Sequence, residues 1–99
     1  MTDSVLTVER EENAAGGRYF IRIEPGVEAE MTFRKGAPGV ITVDHTFTPR
    51  AYRGRNIAQQ LMDRLIADAR TEGTRIVPLC SYAVAQFRSH PEWADLLAD

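Results

Sequence analysis

The sequence has little cysteine, no long apolar run and no excess of basic residues. Its 99 residues include one cysteine, Cys80, so no disulfide bond can form within the chain. No run approaches the ~20 apolar residues of a membrane span. The N-terminal stretch MTDSVLTVEREEN also lacks the apolar core of a signal peptide. We therefore expect a cytoplasmic protein that does not bind membranes.

Charge and metal-ligand content exclude further classes. The formal net charge of -2 disfavours a nucleic-acid-binding protein, which normally carries a basic excess. The two histidines and single cysteine do not form a metal-ligand cluster, so no metal site is predicted. A chain of this length builds a modest core, and we interpret residues 1–99 as a single domain.

The first half of the sequence has the two-residue period of half-buried β-strands. Apolar and charged residues alternate most clearly in residues 19–24 and 27–34. Weaker patterns predict strands at residues 5–9 and 40–47. The intervening turns, at Pro25-Gly26 and at residues 35–39, are short and favour antiparallel neighbours.

The second half changes to helical spacing. An apolar stripe runs from residue 57 to residue 69, and Gly73 is a typical helix stop. The apolar run at residues 75–80 predicts a buried strand, parallel to the fourth strand through a β-α-β crossover. A short helix is predicted from Ser81, whose side chain can cap it, and another helix is predicted from Pro91. The whole pattern predicts an α+β fold, a mixed α/β sandwich of about five mostly antiparallel strands.

The segment at residues 49–58 joins the fourth strand to the long helix and has the features of an anion site. A helix start presents unpartnered N–H groups and a positive dipole end, which favour phosphate. Gly54 lets the backbone approach a ligand closely, and positive charge comes from Arg50, Arg53 and Arg55. The alternative is an ordinary loop with solvated arginines. These residues alone leave both interpretations open.

Two groups of motifs resemble one family. Arg53-Gly54-Arg55-Asn56-Ile57-Ala58 resembles the Arg/Gln-x-x-Gly-x-Gly/Ala acetyl-CoA motif of GNAT-type N-acetyltransferases. The Cys-Ser-Tyr segment at residues 80–82 and the His-Pro-Glu-Trp segment at residues 90–93 are similar to the minimal branch of that family. The resemblance extends from about residue 5 to residue 97. One departure is Asn56, where the motif usually has its central glycine, and asparagine tolerates left-handed backbone better than most residues.

The resemblance implies a GNAT-like fold with acetyl-CoA or coenzyme A as the co-substrate. In that fold the fourth and fifth strands splay apart, and the pantetheine arm lies in the gap. The cofactor-binding residues that it implies are Phe47, Thr48, Arg53, Gly54, Arg55, Asn56, Ile57 and Ala58. The Asn56 side chain can bond the ligand, cap the helix or crowd the pyrophosphate. Pro78 fits a strand that lacks a ladder bond at that point, and an edge strand or bulge would accommodate it equally.

Cys80 is the first candidate catalytic residue, because the resemblance places the acyl thioester beside it. In one interpretation it is a small buried apolar residue, the usual situation of a free cysteine. In the other, its thiolate takes the acetyl group from coenzyme A and passes it to an amine. That route requires a thiolate stabilised by a cation or by a helix N-terminus, such as the helix predicted from Ser81. GNAT enzymes in general transfer the group directly.

His45 is the second candidate catalytic residue. By strand alternation it shares a face with Ile41, Val43 and Phe47. There it is either a hydrogen-bonded, partly buried residue or a base that accepts the proton of the amine or of Cys80.

Together these features predict an N-acetyltransferase that acts on an unidentified amine, directly or through acyl-Cys80. Tyr82 is a weaker candidate for the acid that protonates the departing coenzyme A thiolate. The first alternative is a non-catalytic module that binds or senses coenzyme A, and the second is an interaction domain without a ligand. The expected partners are acyl-CoA and the amine, with no nucleic acid and no membrane. We expect a monomer or a weak dimer.

Overall fold

A computed structural model describes residues 6–98 of the chain, and its centre is one five-stranded sheet. The strands lie in sequence order: β1 (Val8–Glu12), β2 (Gly16–Glu24), β3 (Val27–Lys35), β4 (Val40–Phe47) and β5 (Arg75–Pro78). β1 to β4 are antiparallel neighbours, and β5 is parallel to β4. The α+β fold and the β-α-β crossover are therefore confirmed.

Two α-helices and two 3-10 segments complete the fold. α1 (Ile57–Glu72) follows a 3-10 turn at Arg50–Tyr52, and α2 (Ser81–Ser89) precedes a 3-10 helix at Pro91–Leu96. α1 ends where predicted, at Gly73, whose φ of 71° is left-handed backbone that glycine adopts readily. None of the helices within residues 6–98 is long and apolar enough to cross a membrane.

Two predicted strand boundaries and one predicted helix cap are wrong, although α2 begins at Ser81 as predicted. β1 begins at Val8 rather than residue 5, because its register comes from pairing with β2, and residue 5 lies outside the described residues. β5 ends at Pro78 rather than residue 80, since the chain turns there into α2. Cys80, not Ser81, occupies the N-cap position of α2, and it makes no side-chain capping bond.

α1 packs against one face of the sheet and forms the core with it. Alternate residues of β2 and β3 point to this face, together with Val43 and Ile76. The predicted apolar stripe of α1 is buried against them. The most fully buried side chains are those of Tyr19, Ile21, Met31, Val43, Leu61, Met62, Leu65 and Ile76. Phe87, Trp93 and Leu96 extend this core toward the C-terminal end.

The other face of β1 to β3 is covered by charged side chains. Phe20 is buried on this face, beneath the guanidinium of Arg18, which lies 4.0 Å from its ring centroid. Arg18 also bonds Glu11, Glu28 and Glu30. This face is therefore a layer of mutually paired charges over one aromatic ring.

The pairing of β4 with β5 ends at Val43 and Pro78. The N–H groups of Leu79 and Cys80 both donate to the Val43 carbonyl, at 2.9 and 3.2 Å, as the chain turns away from β4. β4 continues to Phe47 with no β5 residue paired to it in the described part of the chain. β5 is the last strand of the sheet, so its edge position accounts for Pro78.

Candidate functional site

The connection from β4 to α1 adopts left-handed backbone twice. Gly54 has φ 81°, and a Cβ added there would meet nothing within 4 Å. Glycine is therefore favoured at this position by its backbone conformation and not by a lack of space. Asn56 has φ 64° and is the one non-glycine residue with positive φ among residues 6–98. The expectation that asparagine sustains this turn is thus met.

Asn56 stands at the N-cap position of α1 but does not cap it with its side chain. A capping side chain normally belongs to a residue with extended backbone, whereas Asn56 is left-handed. Its carbonyl instead accepts bonds from the backbone N–H of Gln60, at 3.3 Å, and from the Gln60 side chain, at 3.2 Å. The Asn56 side chain is therefore not committed to the helix.

The start of α1 presents a series of unpaired donors. The backbone N–H groups of residues 54–59 donate to no backbone carbonyl within the part of the chain that the structure describes. The first turn of α1 contains no acidic residue. The positive end of the helix dipole is therefore not neutralised by a side chain of that turn.

A cleft of about 450 Å³ opens between the end of β4, this turn and α1. It brings together most of the cofactor-binding residues implied by the sequence, namely Phe47, Thr48, Arg53, Gly54, Asn56, Ile57 and Ala58. Arg55 is the exception, because it does not line the cleft and its guanidinium lies 5.3 Å from the centroid of the Tyr52 ring.

Three lining residues were missed by the sequence reasoning: Thr46, Tyr52 and Gln59. Tyr82, which the resemblance suggested only as a weaker candidate acid, also lines the cleft. Gln59 follows from helix geometry, because it lies in the first turn of α1 beside the motif. Tyr82 sits in the first turn of α2, so only the packing of α2 beside β4 and β5 brings it to the cleft. Burial raises the pKa of Tyr82, and the charges of Asp63 and Cys80 raise it further. The Tyr82 hydroxyl therefore keeps its proton at neutral pH.

The cleft wall carries an exposed cation, and one of its lining residues has a buried, unpaired hydroxyl. Arg53 is exposed, and its Nε donates to the Thr48 carbonyl at 3.1 Å. The Thr48 hydroxyl oxygen is buried and has no hydrogen-bond partner among the described residues. The Tyr52 hydroxyl donates to Glu24, which holds the 3-10 turn against the end of β2. This arrangement suits a ligand with several negatively charged oxygens.

A β-bulge in β4 decides which way the candidate residues face. Val43 pairs with Phe33, but the next pair along β3 is Thr32 with His45, so Asp44 is an extra residue. His45 consequently lies on the charged face with Thr32, and the prediction that it shares a face with Ile41 and Val43 is wrong. Of the residues predicted to share that face, Phe47 remains with His45. Sequence alternation gave no sign of the bulge.

His45 is exposed, contrary to its interpretation as a partly buried, hydrogen-bonded residue. Within residues 6–98 its side chain makes no hydrogen bond, and it does not line the cleft. Cys80 lies elsewhere, partly buried against the core at the start of α2. The structure therefore does not join His45 to Cys80.

Cys80 is close to the cleft without lining it. Its Sγ lies 3.4 Å from the hydroxyl of Thr46, which does line the cleft. Cys80 precedes the first helical residue of α2, as the sequence-based hypothesis of a helix N-terminus required. The two candidate catalytic residues thus occupy different surroundings, one exposed and one partly buried.

Comparison with known proteins identifies the family. The profile described as "GCN5-related N-acetyl-transferase" matches residues 18–96. A solution structure from Staphylococcus aureus, described as a "GCN5-like putative N-acetyltransferase", has the same fold with a TM-score of 0.72. It is 21% identical, and the match covers 93% of this chain and 87% of that one. No curated protein sequence matches this chain. The protein is an acetyl-CoA-dependent acetyltransferase of the GCN5-related N-acetyltransferase family.

Proposed function

We propose that this enzyme transfers the acetyl group of acetyl-CoA to a primary amine, with the coenzyme pyrophosphate bound at residues 53–58. The observation that carries the proposal is the row of unpaired N–H groups at residues 54–59, which opens onto a cleft beside Arg53. Phosphate oxygens are strong acceptors that match such donors and the positive end of a helix dipole.

The unpaired edge of β4 supports the course of the pantetheine arm. Residues 44–47 are extended, and no β5 residue pairs with them in the described structure. The arm contains two amide groups, which can bond to the backbone of a strand that lacks a neighbour. Phe47 and Leu79 are the exposed large apolar side chains of residues 6–98, at 44% and 57% exposure, and both adjoin this opening.

Two chemical routes lead from the bound coenzyme to product. In the direct route the amine nitrogen attacks the thioester carbonyl, the bond to the coenzyme sulfur breaks, and the Tyr82 hydroxyl or water protonates that sulfur. In the covalent route the Cys80 thiol first loses its proton to water. Its sulfur then attacks the carbonyl, and coenzyme A leaves. The amine next attacks acyl-Cys80 and releases the thiolate. Holding the reactants side by side can lower the activation barrier by ~7–11 kcal/mol in either route.

His45 is proposed as the acceptor of the amine proton, from the charged face of the sheet. Because His45 is exposed but does not line the cleft, the amine proton would reach it through water. His45→Gln should alter the pH–rate profile of amine acetylation while leaving acetyl-CoA affinity unchanged. An identical profile in the variant removes His45 from the mechanism.

The function is tested by binding first and turnover second. Coenzyme A and acetyl-CoA at ~100 times the dissociation constant should each raise the free energy of unfolding by ~2.7 kcal/mol. A panel of primary amines, assayed for acetylated product by mass spectrometry, then tests catalysis. Binding without product from any amine would indicate the sensing module instead. Absence of any stabilisation would leave only an interaction domain.

The covalent route has its own experiment. Cys80 is the chain's one cysteine, so the intact mass after incubation with acetyl-CoA and no amine reports on that thiol. A stoichiometric acetyl adduct that disappears on adding amine supports acyl-Cys80. No adduct, together with unchanged turnover in Cys80→Ala, would leave the direct route alone.

A further inference from the structure

The hydroxyl of Thr46 makes a single hydrogen bond within the described residues, and its partner is the sulfur of Cys80. The distance from Thr46 Oγ1 to Cys80 Sγ is 3.4 Å, well within the range for a sulfur hydrogen bond. Thr46 also lines the cleft proposed for the coenzyme. It is therefore the residue that connects the cleft to the only thiol of the chain.

The β-bulge places Thr46 there. Without the extra residue Asp44, strand alternation would turn residue 45 toward α1 and Thr46 away from it. The bulge is fixed from the charged face, where the Asp44 carboxylate accepts a 2.6 Å bond from the Thr32 hydroxyl and a 3.0 Å bond from Arg34 Nε. Thr46 pairs with Met31, a buried residue of the α1 face, and so lies on the side where Cys80 packs.

We infer that Thr46 is a positioning residue that holds the Cys80 sulfur at the cleft and donates its hydroxyl hydrogen to the thiolate. A hydroxyl can accept from the thiol and donate to the thiolate, so the contact survives loss of the proton. Hydrogen bonds to an ionised acceptor are stronger than those to a neutral one, so the contact holds the sulfur most firmly when it attacks as the thiolate. The inference rests on the covalent route proposed above.

Thr46 would act at both ends of that route. It holds the thiolate while the sulfur forms its bond to the thioester carbonyl carbon and coenzyme A departs with the electron pair of the broken bond. When the amine displaces the sulfur, the thiolate is the leaving group, and the same hydrogen bond stabilises it again. His45, which the bulge turns to the opposite face, is in no position to do this.

The test measures thiol reactivity without coenzyme or amine. Alkylation by iodoacetamide at a fixed pH near neutrality, followed by intact mass, reports on Cys80 alone. Thr46→Val keeps the shape but removes the hydroxyl, and Thr46→Ala removes both. We expect each to slow alkylation by about fivefold or more, because the thiolate loses a hydrogen bond. Thr46→Ser should restore a rate near that of the wild type.

Thr42→Val is the matched control, because Thr42 lies on the same strand, opposite Arg34 and Val77, and contacts neither Cys80 nor the cleft. Its alkylation rate should stay within about twofold of the wild-type rate, as expected when no bond to the thiolate is lost. Wild-type rates in both Thr46→Val and Thr46→Ala, or faster ones, would overturn the inference.

A second readout separates this inference from the proposed function. At saturating acetyl-CoA, so that any change in coenzyme affinity does not enter, formation of the acetyl adduct should slow in Thr46→Val in parallel with alkylation. If Thr46→Val is alkylated slowly but the wild type forms no acetyl adduct, the covalent route is overturned, and with it the role of Thr46 in acyl transfer. If Thr46→Val is alkylated at the wild-type rate and forms the adduct normally, the positioning role of Thr46 is overturned and the covalent route is unaffected.

Discussion

Arginines lie at both ends of α1, but within the described residues only those at the C-terminal end are paired with carboxylates. At the C-terminal end, Asp68 accepts bonds from the Tyr19 hydroxyl at 2.8 Å and from Arg10 at 3.0 Å. Arg64 reaches the same carboxylate, and Glu72 bonds Arg10 at 2.6 Å. At the N-terminal end, Arg50, Arg53 and Arg55 form no salt bridge with any described residue.

This difference separates structural charge from charge that is free for a ligand. A cavity of about 400 Å³ adjoins the C-terminal end, yet the arginine and acids that line it are bonded to one another. The cleft at the N-terminal end combines free N–H groups and an exposed arginine. We therefore expect mutations at the C-terminal end to change stability, and mutations at the N-terminal end to change coenzyme affinity.

The largest effect is expected for Asp68→Ala. The substitution leaves the buried Tyr19 hydroxyl without its acceptor and Arg10 with one partner fewer, so we expect the free energy of unfolding to fall by ~3 kcal/mol. Urea unfolding measures this loss. Asp63→Ala is the control, since Asp63 is exposed on the same helix and its side chain bonds only Gln59 among the described residues. It should change stability by less than ~0.5 kcal/mol. A change in the acetyl-CoA dissociation constant of folded Asp68→Ala would contradict the separation of the two ends.

The pH dependence of that loss is the next prediction. Burial opposes ionisation of Asp68, but bonds from Tyr19 and Arg64 and the charge of Arg10 outweigh it, and the pKa falls below its ordinary 3.8. A carboxyl with a lowered folded-state pKa stabilises the protein above its unfolded pKa, and this contribution is lost as the pH falls through the folded value. The stability gap between wild type and Asp68→Ala should thus be constant from pH 7 to 5 and narrow below about 3.8. A stability difference that widens at acid pH would show that the pKa of Asp68 is not lowered in the folded state.

The next prediction concerns Arg53→Ala, at the N-terminal end of α1, which should weaken acetyl-CoA binding. We expect acetyl-CoA to bind about tenfold more weakly, because one charge-assisted contact to phosphate is lost. Stability should change by less than ~0.5 kcal/mol, since the side chain is exposed. Calorimetric titration measures the affinity. The comparison variant is Arg88→Ala, on the exposed side of α2, which should bind acetyl-CoA as the wild type does. Equal affinity in both variants would exclude Arg53 from the coenzyme site.

The smallest effect is expected for Asn56→Gly. Glycine adopts the φ of 64° more easily than asparagine, but it also loses more freedom on folding, so the change in stability should stay below ~1 kcal/mol. Acetyl-CoA affinity should be equal or slightly higher if the side chain only crowds the pyrophosphate. Weaker binding would instead show that the Asn56 amide bonds the ligand. Asn56→Val, a β-branched residue in left-handed backbone, should cost ~1–2 kcal/mol of stability.

The sequence by itself determined the order and type of the elements and the position of the turn at residues 53–58, which we propose binds phosphate. Those features depend on local period, on Gly54 and Gly73, and on which donors a helix start leaves unpaired, all of which lie within a few residues of one another. The apolar stripe of α1 was equally readable, because one face of a helix recurs at fixed spacing. The charged strand β1 was misplaced, since its bounds come from pairing with β2 rather than from its own pattern.

The tertiary structure alone decided how the candidate residues face each other. The bulge at Asp44 is a feature of the register between β4 and β3, and no local pattern in the sequence indicates it. It turned His45 to the exposed face and set Thr46 against Cys80, reversing the assignment that alternation predicts. Tyr82 likewise reached the cleft only through the packing of α2 beside β4 and β5. Local patterns in the sequence predict short-range geometry, whereas the register between strands that are distant in sequence is fixed only when the whole sheet forms.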